Sequence, residues 1–264
     1  MKTVAPDDGL AALLHAIERR GLMVSSYKDA CLRRRLAVRM RARGVHTYPE
    51  YTALLERLPD ELDLLLDALT INVTKFFRNP ETWAVLRARV VADLAHTAGP
   101  VAVWSAGSAT GEEPYTLAIL FQEELGRARV RIDATDLDPG ALAFLERAEY
   151  PKTAVDEVPA AILARHFTPG PPFRLSAAVK ALVAPRRHDL TKEPAPAPPY
   201  QLIVCRNVVI YFDRPTQEAL FRRFYDALAP GGWLLLGKVE TLFGQARALF
   251  RVEDARERLF RKPA

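Results

Sequence analysis

The 264-residue sequence predicts an α/β domain built on a mostly parallel sheet and preceded by a small all-helical domain. Two observations lead to this fold class. Residues 8–85 show helical periodicity without a strand pattern, and after Pro100 short apolar runs alternate with helical segments. The composition, 49% hydrophobic and 26% charged, is typical of a folded globular chain. We expect the helical domain to span 1–80 and the α/β domain to span 81–264.

The helical domain is predicted from four segments separated by short connections that contain glycine or proline. These segments are LAALLHAIERRG, the arginine-rich stretch 28–43, TYPEYTALLERL and ELDLLLDALTIN. A further helix, ETWAVLRARVVADLAHTAG, leads into the α/β domain and ends at Gly99 and Pro100.

Four strands of the sheet are predicted from short apolar runs, and another strand should end near His188. The runs are VAVWSA (101–106), VRIDATDLD (130–138), QLIVCRN (201–207) and GGWLLLGK (231–238). The last stretch, LFRVEDARERLFRK, predicts an antiparallel hairpin at the end of the chain. Residues 150–188 contain proline, glycine and β-prone runs, which predict a small β-subdomain inserted in a crossover.

Charge and cysteine content limit the class of protein. The net charge of +5 is mild, but residues 28–43 hold seven basic side chains against one acid. The two cysteines, Cys31 and Cys205, lie far apart, and the five histidines lack metal-ligand spacing, so we predict no disulfide and no metal. No apolar run has the length of a signal peptide or a membrane span, so we expect a cytoplasmic protein without membrane insertion.

The turn after the first strand is a candidate ligand site, because ligands bind at the carboxyl ends of strands in such sheets. Its glycines, Gly107 and Gly111, have the spacing G-x-x-x-G, so the dinucleotide fingerprint is absent. Glu112 and Glu113 occupy the helix start, where a pyrophosphate would need to bind. These carboxylates would repel phosphate and favour a ligand with a positive group.

The second and third strands end in further acids. Asp136 at the end of the second strand is placed to accept both hydroxyls of a ribose, and Asp138 is expected to cap the helix that begins at Pro139. Asp189 after the third strand could accept from an adenine amino group. These residues predict a site for ribose and adenine with nearby acids and no phosphate-binding loop. Such a site fits S-adenosylmethionine better than NAD or ATP.

Four ordered motifs carry a resemblance to a known family: NVTKFFRNPETW, WSAGSATGEEPYTLA, ATDLD and CRNVVIYFD. Together they resemble the CheR family of chemotaxis receptor methyltransferases. The resemblance implies a helical N-terminal domain, a Rossmann-like S-adenosylmethionine-dependent methyltransferase sheet with a small β-subdomain, and methyl-ester formation on glutamates of the chemoreceptor cytoplasmic helical bundle.

The resemblance also assigns site residues. The implied catalytic pair is Arg78 and Tyr211. The predicted cofactor contacts, with Gly107 added from the glycine turn, are Asn72, Thr74, Arg78, Gly107, Glu113, Asp136, Asp189, Leu190, Arg206 and Asn207. Asp189 departs from the family pattern, in which asparagine is familiar at this position.

The arginine-rich helix is the candidate surface for an acidic partner. Its predicted docking residues are Arg35, Arg39 and Arg43, which recur every four residues and so lie on one side of the helix. They lie beside an apolar ribbon formed by Leu32, Leu36 and Met40. We expect a monomer that binds no nucleic acid. The resemblance implies that family members which bind a peptide at the receptor C-terminus do so through a β-subdomain loop with extra glycines. The segment 166–189 contains a single glycine, Gly170, so we expect that this protein does not depend on a receptor C-terminal pentapeptide tether.

Two other functions remain open from the sequence. The basic charge and the triplet Pro198-Pro199-Tyr200 suggest a nucleic-acid methyltransferase, although that triplet precedes the fourth strand instead of following it. The second alternative is a non-catalytic signalling scaffold that binds S-adenosylmethionine.

Overall fold

The computed structural model describes residues 9–22, 24–69, 74–97, 99–126 and 129–264. Internal contacts divide the chain into a unit of Met1–Ile71 with Tyr211–Asp213 and a unit of Asn72–Ile210 with Arg214–Ala264. Residues 74–80 fall in the larger unit, because Phe76 and Phe77 are buried in its core. No helix within the described ranges is both long enough and apolar enough to span a membrane.

The smaller unit consists of helices in its described part. They are α1 (Leu10–Glu18), α2 (Asp29–Ala42), α3 (Tyr48–Arg57) and α4 (Glu61–Leu69). Helix α3 begins with a capping box, in which Thr47 and Glu50 satisfy each other's backbone N–H groups. The segment Tyr211–Asp213 belongs to this unit, and Asp213 donates its backbone N–H to the carbonyl of Ser26 at 2.9 Å.

The larger unit surrounds a seven-stranded sheet with helices. The longer helices are α5 (Pro80–Val85), continued by a π-helical turn (Leu86–Val91) and α6 (Ala92–Ala95), then α7 (Glu112–Leu125), α8 (Pro139–Arg147) and α12 (Arg214–Ala227). The short ones are α9 (Lys152–Val155), α10 (Ala160–His166), α11 (Ala177–Lys180) and α13 (Gly244–Leu249). A 3-10 turn (Val209–Tyr211) begins in the larger unit, and its last residue, Tyr211, belongs to the smaller one. Asp138 caps α8 by accepting from the backbone N–H groups of Gly140 and Ala141, as predicted.

The sheet has the strand order β5-β2-β1-β6-β7-β9-β8. Its strands are β1 (Val101–Ala106), β2 (Val130–Asp136), β5 (Val183–Arg187), β6 (Tyr200–Cys205), β7 (Leu228–Leu236), β8 (Arg251–Asp254) and β9 (Leu259–Arg261). The first five in the spatial order pair in parallel, and β9 and β8 add an antiparallel hairpin. This confirms the predicted fold class.

The central strands read as nearly continuous apolar runs because both faces of the sheet are covered. Val103, Ile132 and Leu202 on β1, β2 and β6 are fully buried in one hydrophobic core. The chain runs outward from β1 through β2 to β5 and then returns to β6 on the other side of β1. The strand order therefore reverses between β1 and β6, where α/β sheets of this kind bind their ligands.

A separate two-stranded antiparallel sheet forms the β-subdomain. It pairs β3 (Glu149–Tyr150) with β4 (Phe173–Arg174), and an isolated bridge joins Phe167 to Leu175. Tyr150 is fully buried and packs edge-on against Phe76, with ring centroids 4.7 Å apart. The inserted subdomain is therefore joined to the core of the larger unit by aromatic packing.

Candidate active site

The loop after β1 lies at the carboxyl edge of the sheet and is attached to β2. Gly107 and Ser108 donate their backbone N–H groups to the carbonyl of Thr135, at 2.8 and 2.9 Å. Gly107 has a φ of 85°, and a Cβ there would lie 2.4 Å from Cγ2 of Val208. This position therefore requires glycine. The buried hydroxyl of Ser108 has no hydrogen-bond partner in the part of the chain that the structure describes.

Asp136 ends β2 with its side chain almost fully buried. Oδ2 accepts from the backbone N–H of Ala109 at 2.8 Å, and Oδ1 accepts from that of Asp138 at 3.0 Å. Burial raises the pKa of this carboxyl, and the backbone donors only partly offset the effect. A carboxylate can accept about four hydrogen bonds, so Asp136 keeps capacity for ligand hydroxyls.

Glu113, in the first turn of α7, is a second buried carboxylate at this edge. Oε1 accepts from the hydroxyl of Ser105 at 3.0 Å, and Oε2 lies 3.6 Å from Nη1 of Arg206. Burial raises the pKa of Glu113, and the charge of Arg206 opposes that shift. A cationic ligand group beside Glu113 would favour its ionised form.

Arg206, directly after β6, connects this acid to the segment before α5. Nη2 donates to the carbonyl oxygen of Arg78 at 3.1 Å and to Oδ1 of Asn79 at 3.0 Å. Its guanidinium carbon lies 5.2 Å from the ring centroid of Trp83, and burial lowers the pKa of the group. Trp83 also donates to the Arg78 carbonyl, at 2.9 Å. Two donors therefore fix the backbone at Arg78.

Arg78 lines a cleft of about 630 Å³. The other lining residues are Thr74, Lys75, Asn79, Pro80, Glu81 and Glu157. Phe77 and Asn79, on either side of Arg78, both have positive φ, which is uncommon outside glycine. The hydrogen bonds at the carbonyl of Arg78 hold this backbone conformation. The predicted residues Thr74 and Arg78 thus share one cleft, while Asn72 lies outside the described residues.

The end of β5 meets the end of β2, because His188 donates its backbone N–H to the carbonyl of Asp136 at 2.9 Å. Oδ1 of Asp189 accepts from both the backbone N–H and the hydroxyl of Thr191, at 2.8 and 2.6 Å. Oδ2 is 3.8 Å from Nζ of Lys192. One carboxylate oxygen therefore stabilises the local turn, and Leu190 beside it is buried.

The structure places most of the predicted cofactor residues in the larger unit. Thr74 and Arg78 lie in the segment before α5. The others follow or end β1, β2, β5 and β6 at the carboxyl edge of the sheet: Gly107, Glu113, Asp136, Asp189, Leu190, Arg206 and Asn207. Tyr211 lies in the helical unit, where its carbonyl accepts from the backbone N–H of Lys28 at 2.9 Å. Two residues of this region, Trp83 and Glu240, were not predicted from the sequence. Glu240 could have been found as an acid shortly after β7, at the same edge of the sheet as the other acids.

In the helical unit, two of the three predicted docking arginines are bound to a buried acid. Nη2 of Arg39 and Nε of Arg43 lie 2.8 and 2.5 Å from Oε2 of Glu61, and the hydroxyl of Tyr51 donates to Oε1 at 2.8 Å. Burial alone would raise the pKa of Glu61, but these hydrogen bonds outweigh it and lower the pKa. Arg35 is half-buried, and its Nε has no partner among the described residues.

The exposed face of α2 instead contains Arg34, Val38 and Arg41, spaced by four and then three residues. Leu32, Leu36 and Met40 on the opposite face are buried, as predicted. Arg34 and Arg41 are therefore exposed cations of this helix that the sequence analysis did not single out, while Arg43 is exposed as well as paired with Glu61.

The site fits a nucleoside with a cationic tail. Buried carboxylates of Glu112 and Glu113 begin α7, where a phosphate-binding loop would present only backbone donors. Burial raises the pKa of Glu112 as well. S-adenosylmethionine is a nucleoside of this kind, because it has a ribose, an ammonium group and no phosphate.

Comparison with known proteins gives two family matches. Residues 72–259 match the model of the CheR methyltransferase SAM-binding domain, and residues 8–70 match that of the CheR methyltransferase all-alpha domain.

Curated relatives cover the chain at about one-third identity. A 104.1 kDa protein encoded in the hypE 3′ region of Rhodobacter capsulatus is 33% identical over 264 residues, which are 97% of this chain and 28% of that protein. A chemotaxis protein methyltransferase of Klebsiella aerogenes is 35% identical over 85% of this chain and 79% of its own length. Chemotaxis protein methyltransferase 2 of Pseudomonas aeruginosa is 34% identical over 84% and 81%.

Proposed function

Because the chain belongs to the CheR methyltransferase family and contains its S-adenosylmethionine-binding domain, we propose that it methylates glutamate side chains on the cytoplasmic helical bundle of a chemoreceptor. The observation that supports this most directly is the link from the buried acid Glu113 through Arg206 to Arg78 and its cleft. One side of this link suits a cationic nucleoside, and the other suits an anionic acceptor.

Bound S-adenosylmethionine would supply a methyl group on a sulfonium, which is an activated leaving group. Asp136 would accept from the ribose hydroxyls, Glu113 would bind the ammonium, and Asp189 would accept from the adenine amino group through its oxygen Oδ2. The other proposed cofactor contacts are Asn72, Thr74, Arg78, Gly107, Leu190, Arg206 and Asn207. These groups hold and orient the cofactor, and none of them has to remove a proton.

The acceptor glutamate, with an ordinary pKa of about 4.3, is already ionised at neutral pH, so no general base is needed. The site has to remove water from the carboxylate and orient one oxygen for in-line attack. Arg78 would bind the other oxygen, because a guanidinium fork suits a carboxylate better than an ammonium does. We assign Tyr211 as the second catalytic residue, which would line the reacting methyl group.

The exposed face of α2 is the proposed docking surface for the receptor. Arg34 and Arg41 are exposed cations on this helix. Of its other arginines, Arg35 is half-buried, and the remaining three are paired with acids: Arg33, Arg39 and Arg43. Receptor methylation helices rich in glutamate would be attracted and oriented by this face. We further propose that the protein acts as a monomer in the cytoplasm, where the receptor bundle lies. Light scattering on the purified protein tests the monomer, since a dimer mass would contradict it.

The small β-subdomain supports action without a receptor tether. Its sheet has only two strands of two residues each, β3 and β4. Calorimetry with an isolated pentapeptide from the receptor C-terminus should detect no binding. Measurable affinity for that peptide would contradict tether independence while leaving the methyltransferase function intact.

Methyl transfer is tested with methyl-labelled S-adenosylmethionine and two acceptors, a chemoreceptor cytoplasmic fragment and transfer RNA. We expect label on the receptor fragment only, released as volatile methanol by alkali because esters are base-labile. Base-stable label on RNA would indicate a nucleic-acid methyltransferase. Cofactor binding without transfer to either acceptor would indicate a non-catalytic scaffold.

A further inference from the structure

Glu240, shortly after β7, is a buried carboxylate for which neither sequence nor family resemblance assigns a role. It is 3% exposed. Its Oε2 accepts from the backbone N–H groups of Asn207 and Gly237, at 2.9 and 2.7 Å. Its Oε1 accepts from those of Val208 and Ile210, at 2.9 and 3.2 Å. Four main-chain donors thus converge on one side chain.

Such an arrangement makes the loop conformation depend on the carboxylate. Burying an ionised group is costly unless hydrogen bonds satisfy it, and bonds from N–H groups to a carboxylate are stronger than neutral ones. Burial raises the pKa of Glu240, whereas its backbone donors favour the ionised form. Asn207 has a φ of 61°, an uncommon conformation that the bond from its N–H to Glu240 helps to hold.

The loop held by Glu240, residues 206–210, contacts both halves of the active site. Arg206 at its start binds the carbonyl of Arg78. Val208 packs against Gly107, so closely that a Cβ on the glycine would lie 2.4 Å from Cγ2 of the valine. The acceptor cleft and the cofactor loop therefore both depend on where this segment lies.

We propose that Glu240 is a positioning residue for methyl transfer, which fixes loop 206–210 so that Arg206 and Val208 hold the acceptor and cofactor segments in place. This role rests on the proposed function. Glu240 acts through the loop and not on the reacting atoms. If Glu240 were purely structural, replacing it would change only the fraction of molecules that fold. If it is a positioning residue, replacing it also changes the affinity of each folded molecule for the cofactor.

Calorimetry with S-adenosylhomocysteine separates these two effects. Unfolded molecules lower the binding stoichiometry, whereas a displaced loop weakens binding and raises Kd. In Glu240→Gln, one acceptor oxygen becomes an amide NH2 that faces backbone donors. A hydrogen bond to a charged group contributes about tenfold or more to the equilibrium that holds the loop in place, and only the correctly placed loop binds the cofactor well. We therefore expect Kd to rise about tenfold. We also expect kcat for the receptor fragment to fall per folded molecule.

The matched control is Asp133→Asn, which alters another buried carboxylate of the same sheet. Asp133 accepts from the hydroxyl of Tyr200 at 2.8 Å and contacts neither the cofactor loop nor loop 206–210 in the described structure. We expect this variant to keep the wild-type Kd. Equal weakening in both variants would assign the effect to sheet stability and overturn the proposal.

Gly237→Ala tests the same attachment of loop 206–210 to Glu240 if Glu240→Gln does not fold. Gly237 lacks positive φ, so alanine causes no backbone strain there, but its Cβ would lie 2.7 Å from Oε2 of Glu240 and 2.8 Å from the backbone N of Asn207. We expect a weaker Kd with the carboxylate still present. A wild-type Kd in a folded variant of either kind overturns the positioning role alone, whereas a wild-type protein that binds no S-adenosylhomocysteine overturns the proposed function as well.

Discussion

Arg206 donates a hydrogen bond from Nη2 to the main-chain carbonyl of Arg78, at 3.1 Å. The bond reaches the backbone and leaves the Arg78 side chain to other partners. Trp83 donates to the same carbonyl at 2.9 Å. Arg206 therefore holds the backbone at Arg78 in position, whatever the Arg78 side chain binds.

Replacing Arg78 by alanine should keep the fold and remove most of the methyl-transfer rate, because both bonds at its carbonyl survive. Loss of a group that orients a reacting carboxylate costs about a hundredfold or more in rate. Initial rates with the receptor fragment and thermal melting measure the two effects. The control is Arg87→Ala, which removes an exposed arginine paired with Glu124 and should leave the rate unchanged. Unchanged turnover in Arg78→Ala would remove Arg78 from the mechanism.

Reversing the charge of Arg34 and Arg41 together should weaken receptor docking. We expect KM for the receptor fragment to rise about tenfold at low salt, and less at high salt because ions screen exposed charges. Kd for S-adenosylhomocysteine should not change. The double variant Arg186→Glu/Arg247→Glu makes the same net charge change at exposed sites of the larger unit and should have little effect. Equal KM shifts in both double variants would contradict a specific docking face.

Replacing Glu61 by glutamine should destabilise helices α2 to α4. Loss of one partner from a buried ion pair costs about 3 kcal/mol, and less where the arginines reach water. Hydrogen exchange of peptides from these helices measures the loss. Glu56→Gln on the exposed face of α3 is the control, with an expected change of about 0.5 kcal/mol or less.

The Glu61 effect should also depend on pH. The folded protein lowers the pKa of Glu61, so its stabilising contribution is present above the unfolded pKa of about 4.3 and is lost as pH falls through the lower folded value. Wild type and Glu61→Gln should therefore converge in stability in acid. A difference that stays constant from neutral pH into acid would contradict this role of the ionised carboxylate.

The sheet and the cofactor edge were predictable because local patterns determine them. Strands β1 and β2 appear as short apolar runs because they are largely buried. Asp136 ends β2, and Glu113 lies in the first turn of the helix that follows β1. The Rossmann-like rule that ligands bind at these strand ends then placed both acids in one site.

The contacts that the sequence could not reveal join residues far apart in the chain. The arginine spacing on α2 indicated a basic helix, but Glu61 lies 22 residues after Arg39 and belongs to another helix. Glu240 likewise reaches the N–H of Asn207 from 33 residues away. Such pairs depend on tertiary packing, for which periodicity carries no signal.

Asp136 at the end of β2 is the residue that we propose binds the ribose of the cofactor. Calorimetry should show that wild type binds S-adenosylhomocysteine at one site per chain and that Asp136→Asn weakens Kd at least about tenfold, because the amide accepts fewer hydrogen bonds. Asp133→Asn should retain the wild-type Kd. No binding by wild type, or an unchanged Kd in Asp136→Asn, would contradict a cofactor site at this strand end.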